Sequence, residues 1–212
     1  MKLYYITDRS QFGGNGREQE RRLLEKIAEC AMAGVDWIQL REKDLSTHAL
    51  EELAGKAMAA VGGSGTRLLI NSRIDVALAC GAHGVHLPGN DLAASEVRAI
   101  LMRTGAAEPV IGVSAHSAAE IASAEAHGAD FAVFAPVFEK SGLTNPEGLA
   151  ELRRICNRQD AAQPPMQVLA LGGITLKNAH HCIAAGAAGI AAIRLFQDND
   201  VYAVVKKLRE ET

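Results

Sequence analysis

Four stretches of this 212-residue chain share one form, and their spacing limits the fold more than any other feature. AMAGVDWIQL, ALACGAHGVHL, AEAHGADFAVF and IAAGAAGIAAI each run from a small-residue helix end through a glycine into an apolar strand. The glycines are Gly34, Gly81, Gly128 and Gly186, spaced 47, 47 and 58 residues apart. A glycine just past a helix is the expected left-handed stop. The apolar run after it fits a parallel strand buried on both faces. A period in the forties holds two strand–helix units, so four periods give eight.

Short runs rich in Val, Ile, Leu or Tyr at 2–6, 67–70, 109–113 and 166–170 supply the other strands. Amphipathic stretches at 18–33, 47–60, 73–80, 93–102, 118–127, 147–157, 176–184 and 200–209 predict the helices. Strict βα alternation with right-handed crossovers predicts an α/β fold, a (β/α)₈ TIM barrel forming one domain over residues 1–212. An open doubly wound sheet is the structural competitor, but it does not account for the paired spacing.

Composition narrows the function by exclusion. With 22 basic and 25 acidic residues the formal charge is −3, and no long basic run is present. That balance argues against a nucleic-acid partner, so an anionic ligand has to be held by local groups. No apolar run is long enough to span a membrane, and MKLYYITDRS reads as a strand rather than a signal peptide. Cys30, Cys80, Cys156 and Cys182 have no zinc or CxxC spacing. They read as buried reduced thiols of a cytoplasmic protein. Barrels of this size often dimerise, so a homodimer is compatible, although the sequence names no interface.

In this architecture the chemistry lies at the C-terminal strand ends. Those ends are polar here: Gln39, Arg41 and Lys43 by the second strand, Asn71 and Ser72 by the third, His86 by the fourth, Ser114 and His116 by the fifth. Arg41 and Lys43 alternate, which aims both to one side. They suit a phosphate, or else form surface salt bridges. Gly172-Gly173 follows the seventh strand and is expected to open a helix capped by Thr175, where backbone N–H groups could approach a phosphate. A plain tight turn is the alternative. Arg194, expected to end the eighth strand, could face the same phosphate or pair with a carboxylate. Asp91, with Asn71 and Ser72, could offer oxygens to a Mg²⁺ held mainly by a substrate diphosphate. Its other reading is a cap for the helix that follows. His86 and His116 are acid–base candidates or hydrogen-bonded wall residues. His180-His181 reads as a surface pair on different helix faces, and His83 and His127 as partners of helix dipoles.

Taken in order, YYITD, IQLREK, LLINSRIDVALACGAHGVHLPGND, IGVSAHS, FAPVFEKSG and LALGGIT resemble the thiamine-phosphate synthase and TenI family. The resemblance runs from Tyr4 to about Phe196, and IQLREK with INxRxDVALxxGAxGVHL is its specific part. It implies the same barrel, and a reaction that joins a hydroxymethylpyrimidine diphosphate to a thiazole phosphate with release of pyrophosphate. It implies that Gln39, Arg41, Lys43 and Asn71 contact the pyrimidine diphosphate, with Ser114 near the pyrimidine. Gly172 and Gly173 would hold the thiazole phosphate, and Asp91 would be one of two aspartates on Mg²⁺.

Three positions depart from the synthase pattern. Ser72 stands in place of the other Mg²⁺ aspartate. The loop after the sixth strand reads Glu139-Lys140-Ser141-Gly142, so Lys140 alone clearly remains to grip diphosphate. Arg194 replaces a serine. The loss of the aspartate, with the LP and VFE segments, leans toward TenI members, one of which tautomerises the thiazole ring by acid–base chemistry. The catalytic histidine of that activity falls where this chain has Pro136, and His116 is the candidate substitute. The synthase reaction is the expectation, because Arg41, Lys43, Asn71, Asp91 and Lys140 keep most of a diphosphate site. A thiazole tautomerase and a non-catalytic binder of thiazole or thiamine phosphate are the alternatives.

Overall fold

The computed structural model describes residues 1–139, 145–158 and 165–210. Eight parallel strands close into a barrel in the order β1 to β8, with β8 pairing back onto β1. The strands are β1 (Lys2–Ile6), β2 (Trp37–Leu40), β3 (Arg67–Asn71), β4 (Gly84–Leu87), β5 (Val110–Ala115), β6 (Phe131–Phe134), β7 (Gln167–Ala170) and β8 (Gly189–Ala192). Around them run α1 (Gly16–Met32), α2 (Thr47–Val61), α3 (Ile74–Cys80), α4 (Ala94–Arg103), α5 (Ala118–Ala126), α6 (Pro146–Cys156), α7 (Ala179–Ala184), α8 (Arg194–Gln197) and α9 (Val201–Glu210). The closed ring excludes the open sheet.

The repeat works as its composition dictates. Gly34, Gly81, Gly128 and Gly186 all take positive φ, 85°, 66°, 76° and 103°, a region in which a Cβ is strained. Each ends a helix and turns the chain into β2, β4, β6 or β8. Strand residues then alternate between two cores. Outward residues such as Leu3, Ile38, Leu68 and Ile190 pack with helix residues such as Leu23, Ile27 and Leu53. Inward residues Tyr4, Ile6, Trp37, Leu69, Phe131, Val133 and Leu169 fill the barrel. Trp37 stacks on Phe131 with ring centroids 4.3 Å apart, and Tyr4 meets Phe131 edge-on at 5.3 Å. Gly112 makes room for this layer, since a Cβ there would lie 2.3 Å from the Phe131 ring.

Two elements escaped the sequence pattern: a 3₁₀ turn at Arg9–Gln11 and the four-residue α8. The second corrects the position of Arg194. Strand β8 stops at Ala192, and Arg194 is the exposed first residue of α8. The helix expected from 176 begins at Ala179, because residues 175–178 form a turn in which Thr175 O accepts from Asn178 N and Ala179 N. Gly172-Gly173 therefore opens a turn, not a helix capped by Thr175. Asn178 shapes it by accepting from Thr175 N at 2.8 Å and donating to Gly173 O at 3.0 Å.

Candidate active site

The inward parity that buries Trp37 also points Gln39, and beyond it Arg41 and Lys43, into the barrel mouth. A cavity of about 700 Å³ opens there. Gln39, Arg41, Lys43, Asn71, Ser72, His86, Ser114 and His116 all line it, so eight side chains expected at separate strand ends meet in one place. Its apolar floor is Ile6, Val133, Leu171 and Ile193.

Two hydrogen-bonded chains order the polar wall. Gln39 Nε2 donates to Asn71 Oδ1 at 2.8 Å, and Asn71 Nδ2 donates to Ser72 Oγ at 3.1 Å. Ser72 sits at φ 59°, a left-handed position uncommon for serine, where its N–H reaches His86 O at 2.9 Å. In the second chain, His86 Nδ1 lies 3.1 Å from the Tyr4 hydroxyl and Nε2 lies 2.9 Å from Ser114 Oγ. Burial, and then the Arg41 charge, pushes the His86 pKa down to about 3. Burial likewise holds the Tyr4 phenol neutral by raising its pKa. At ordinary pH His86 is therefore a neutral wall residue, and its hydrogen bond orients Ser114.

A clamp outside the cavity sets the cations. Glu42 lies between Arg41 and Lys43 in sequence, so its side chain takes the opposite parity and is buried. It accepts from Thr7 Oγ1 at 2.6 Å, Arg9 N at 3.0 Å and Arg9 Nη1 at 3.2 Å. Thr7 Oγ1 in turn accepts from Arg41 N at 2.9 Å. Arg9 also grips Asp44 with two bonds of 2.6 and 2.7 Å. Thr7, Arg9 and Glu42 thus tie the β1 and β2 loops together. Among the described residues, the Arg41 and Lys43 side chains make no hydrogen bond or ion pair. Their charges are left to the cavity. The sequence held a signal for Glu42, its parity, and one for Tyr4, its inward place in β1.

His116 stands at the rim. Its Nδ1 is 2.8 Å from Ala135 O, which can only accept, so the neutral ring carries its lone pair on Nε2. Its backbone N–H donates to Glu120 Oε2 at 2.7 Å, and Glu120 also lines the cavity. Lys140 lies outside the described residues. Arg194 is not among the cavity-lining residues, and neither are Gly172 and Gly173. Packing accounts for the two glycines: a Cβ on Gly173 would lie 2.0 Å from Glu139 O, and one on Gly172 would lie 3.0 Å from Pro136 Cα. Phe138 N donates to Gly172 O and Val137 N to Leu171 O, so the β6 and β7 loops join backbone to backbone.

Asp91 neither caps α4 nor faces the large cavity. It accepts from Leu92 N at 2.8 Å and lines a neighbouring hollow of about 140 Å³. Among the described residues no three His, Cys, Asp or Glu side chains meet in a metal-binding group. One off-axis carboxylate and a serine hydroxyl already engaged by Asn71 do not fit a resident Mg²⁺. Of the remaining histidines, His83 accepts from Leu68 N at 3.0 Å rather than meeting a helix end. His127 Nδ1 donates to Ser123 O at 2.7 Å in the last turn of α5. His180 and His181 are both exposed, but their rings lie 3.8 Å apart rather than on separate faces.

Against known proteins, the model described as thiamine monophosphate synthase matches residues 3–196. The chain belongs to the thiamine monophosphate synthase family. A protein of Geobacter sulfurreducens that bears the thiamine-phosphate synthase name provisionally is 41% identical over 196 residues, covering 91% of this chain and 85% of that one. The thiamine-phosphate synthase of Methanoregula boonei is 37% identical over 214 residues, covering 99% and 92%. Thiamine phosphate pyrophosphorylase from Pyrococcus furiosus superposes with a TM-score of 0.79 at 29% identity, covering 99% of this chain and 94% of that chain.

Proposed function

We propose that this family member joins a hydroxymethylpyrimidine diphosphate to a thiazole phosphate and releases pyrophosphate. One observation carries the reading: Arg41 and Lys43 enter a single cavity with no side-chain hydrogen bond or salt bridge among the described residues. In the reaction the bond between the pyrimidine methylene and the diphosphate oxygen breaks, and its electron pair leaves with the diphosphate. The thiazole nitrogen then supplies the pair that forms the new carbon–nitrogen bond. Arg41 and Lys43 are placed to stabilise the departing charge, which is where preorganised cations lower a barrier most. Ser114 and Gln39 line the wall that would orient the pyrimidine. Neutral His86 fixes Ser114 without adding a positive charge beside a methylene that is becoming cationic. A divalent ion enters this reading only as a counter-ion that the diphosphate brings with it.

The names of the relatives do not favour the tautomerase and binder alternatives. We assign the protein to the cytoplasm, in keeping with four free cysteines and with the lack, among described residues, of a helix long and apolar enough to cross a membrane. Its partners in this reading are the two phosphorylated substrates, and a homodimer is the assembly to test by light scattering. The decisive assay measures pyrophosphate released from both substrates together. Release that requires each of them supports the reading, and none at high enzyme concentration removes it.

A further inference from the structure

We propose that this chain holds the diphosphate group through Arg41 and Lys43 without a resident divalent cation. The proposal rests on the synthase reading and concerns how that site balances the charge of its anion. A hard cation needs several oxygen ligands, carboxylates first among them. Eight acids stand in the loops that follow β1 to β5 or in the first turns after them, and each already accepts a hydrogen bond or stands in an ion pair; Glu18 accepts from Asn15 N and Glu96 from Ala93 N. Glu42 and Asp44 are both taken by Arg9. Asp8 accepts from Ser10 and Gln11, at 2.5 and 2.6 Å. Asp75 pairs with Arg73. Glu120, the one of these that lines the large cavity, accepts from His116 N, and Asp91 accepts from Leu92 N beside the smaller hollow. The segment 140–144, Lys140-Ser141-Gly142-Leu143-Thr144, contains no acid to add.

The clamp is what makes this arrangement self-sufficient. Glu42 and Asp44 are the carboxylates nearest to Arg41 and Lys43 in the chain, and either would otherwise quench them. The fold turns both onto one guanidinium, Arg9, which donates two bonds to Asp44 and shares Nη1 with Glu42. Two cations without a salt bridge among the described residues then face the cavity, and they take the part that a metal plays in neutralising an anionic leaving group.

Inorganic pyrophosphate is the probe, titrated calorimetrically into the full-length protein with Mg²⁺ or with EDTA at matched ionic strength. We expect the two dissociation constants to agree within about threefold. Arg41→Ala should weaken binding in EDTA by at least about tenfold. Ser72→Asp, which restores a carboxylate next to Asn71, should make binding tighten by about tenfold on adding Mg²⁺. Wild-type binding that tightens by tenfold or more with Mg²⁺, or vanishes in EDTA, overturns the proposal. So does an Arg41→Ala variant that binds as well as wild type. Metal-dependent binding alongside intact coupling would sink this proposal alone. Metal-independent binding with no coupling of the two substrates would sink the synthase reading alone.

Discussion

The β2 side and the β7 side of the barrel mouth are built from different materials. At β2, side chains reach into the cavity, and a buried carboxylate behind them holds their backbone in place. At β7, the chain meets the β6 loop backbone to backbone, and the glycines there make close approach possible. The comparison teaches that a strand-end motif has two kinds of content. Arg41 and Lys43 take their places from a parity that aims them into open space, where only a ligand can meet them. Gly172 and Gly173 are required by what their own backbone touches, whatever a ligand also does there.

Substitutions can break this contrast. Arg41→Ala should lower kcat/KM for coupling by about 10²–10³, equivalent to about 3–4 kcal/mol of lost transition-state stabilisation. Steady-state kinetics reads this directly, and a loss under about threefold would remove Arg41 from the chemistry. Glu42→Ala should cost about 3 kcal/mol of folding stability, since it leaves the Arg9 guanidinium without its buried partner. Urea unfolding measures the cost, and a change below about 1 kcal/mol would mean that the clamp does not hold. Gly173→Ala should cost about 1–3 kcal/mol, because alanine is strained at φ 59° and meets Glu139 O. A neutral outcome there would show that the β7 glycine serves ligand alone.

Acid sharpens the same contrast. Folded His86 stays neutral down to about pH 3, against an ordinary value of 6.5. Between these values the unfolded chain binds the extra proton. Stability is therefore complete above 6.5 and falls as the solution is acidified toward 3. Urea midpoints of wild type should fall more steeply across that window than those of His86→Gln, and parallel lines would contradict the buried neutral ring. The smallest effect is expected at Arg194. Its exposed place on α8, away from the cavity lining, predicts that Arg194→Ala changes KM for the thiazole phosphate by less than about twofold.

The barrel was legible because its period depends on glycine and apolar alternation, both of which are local properties. The cavity wall was legible for a related reason: parity carries inward from Trp37 to Gln39, Arg41 and Lys43, and from Leu69 to Asn71. Thr7, Arg9 and Glu42 were not read as a clamp, since their partners lie about thirty residues apart and only strand pairing brings them together. Arg194 was misplaced because a strand of Gly, Ile and Ala shades into a helix with no polar stop between them. The place of Asp91 beside the smaller hollow was not legible, because a loop aspartate can bond the next backbone N–H, which no spacing rule reveals.

The packed Trp37, Phe131 and Tyr4 rings have a kinetic consequence. They fill the barrel beneath the cavity, so among the described residues the mouth is its doorway and the barrel offers no rear exit. Whatever reacts in the cavity therefore comes and goes by the same doorway.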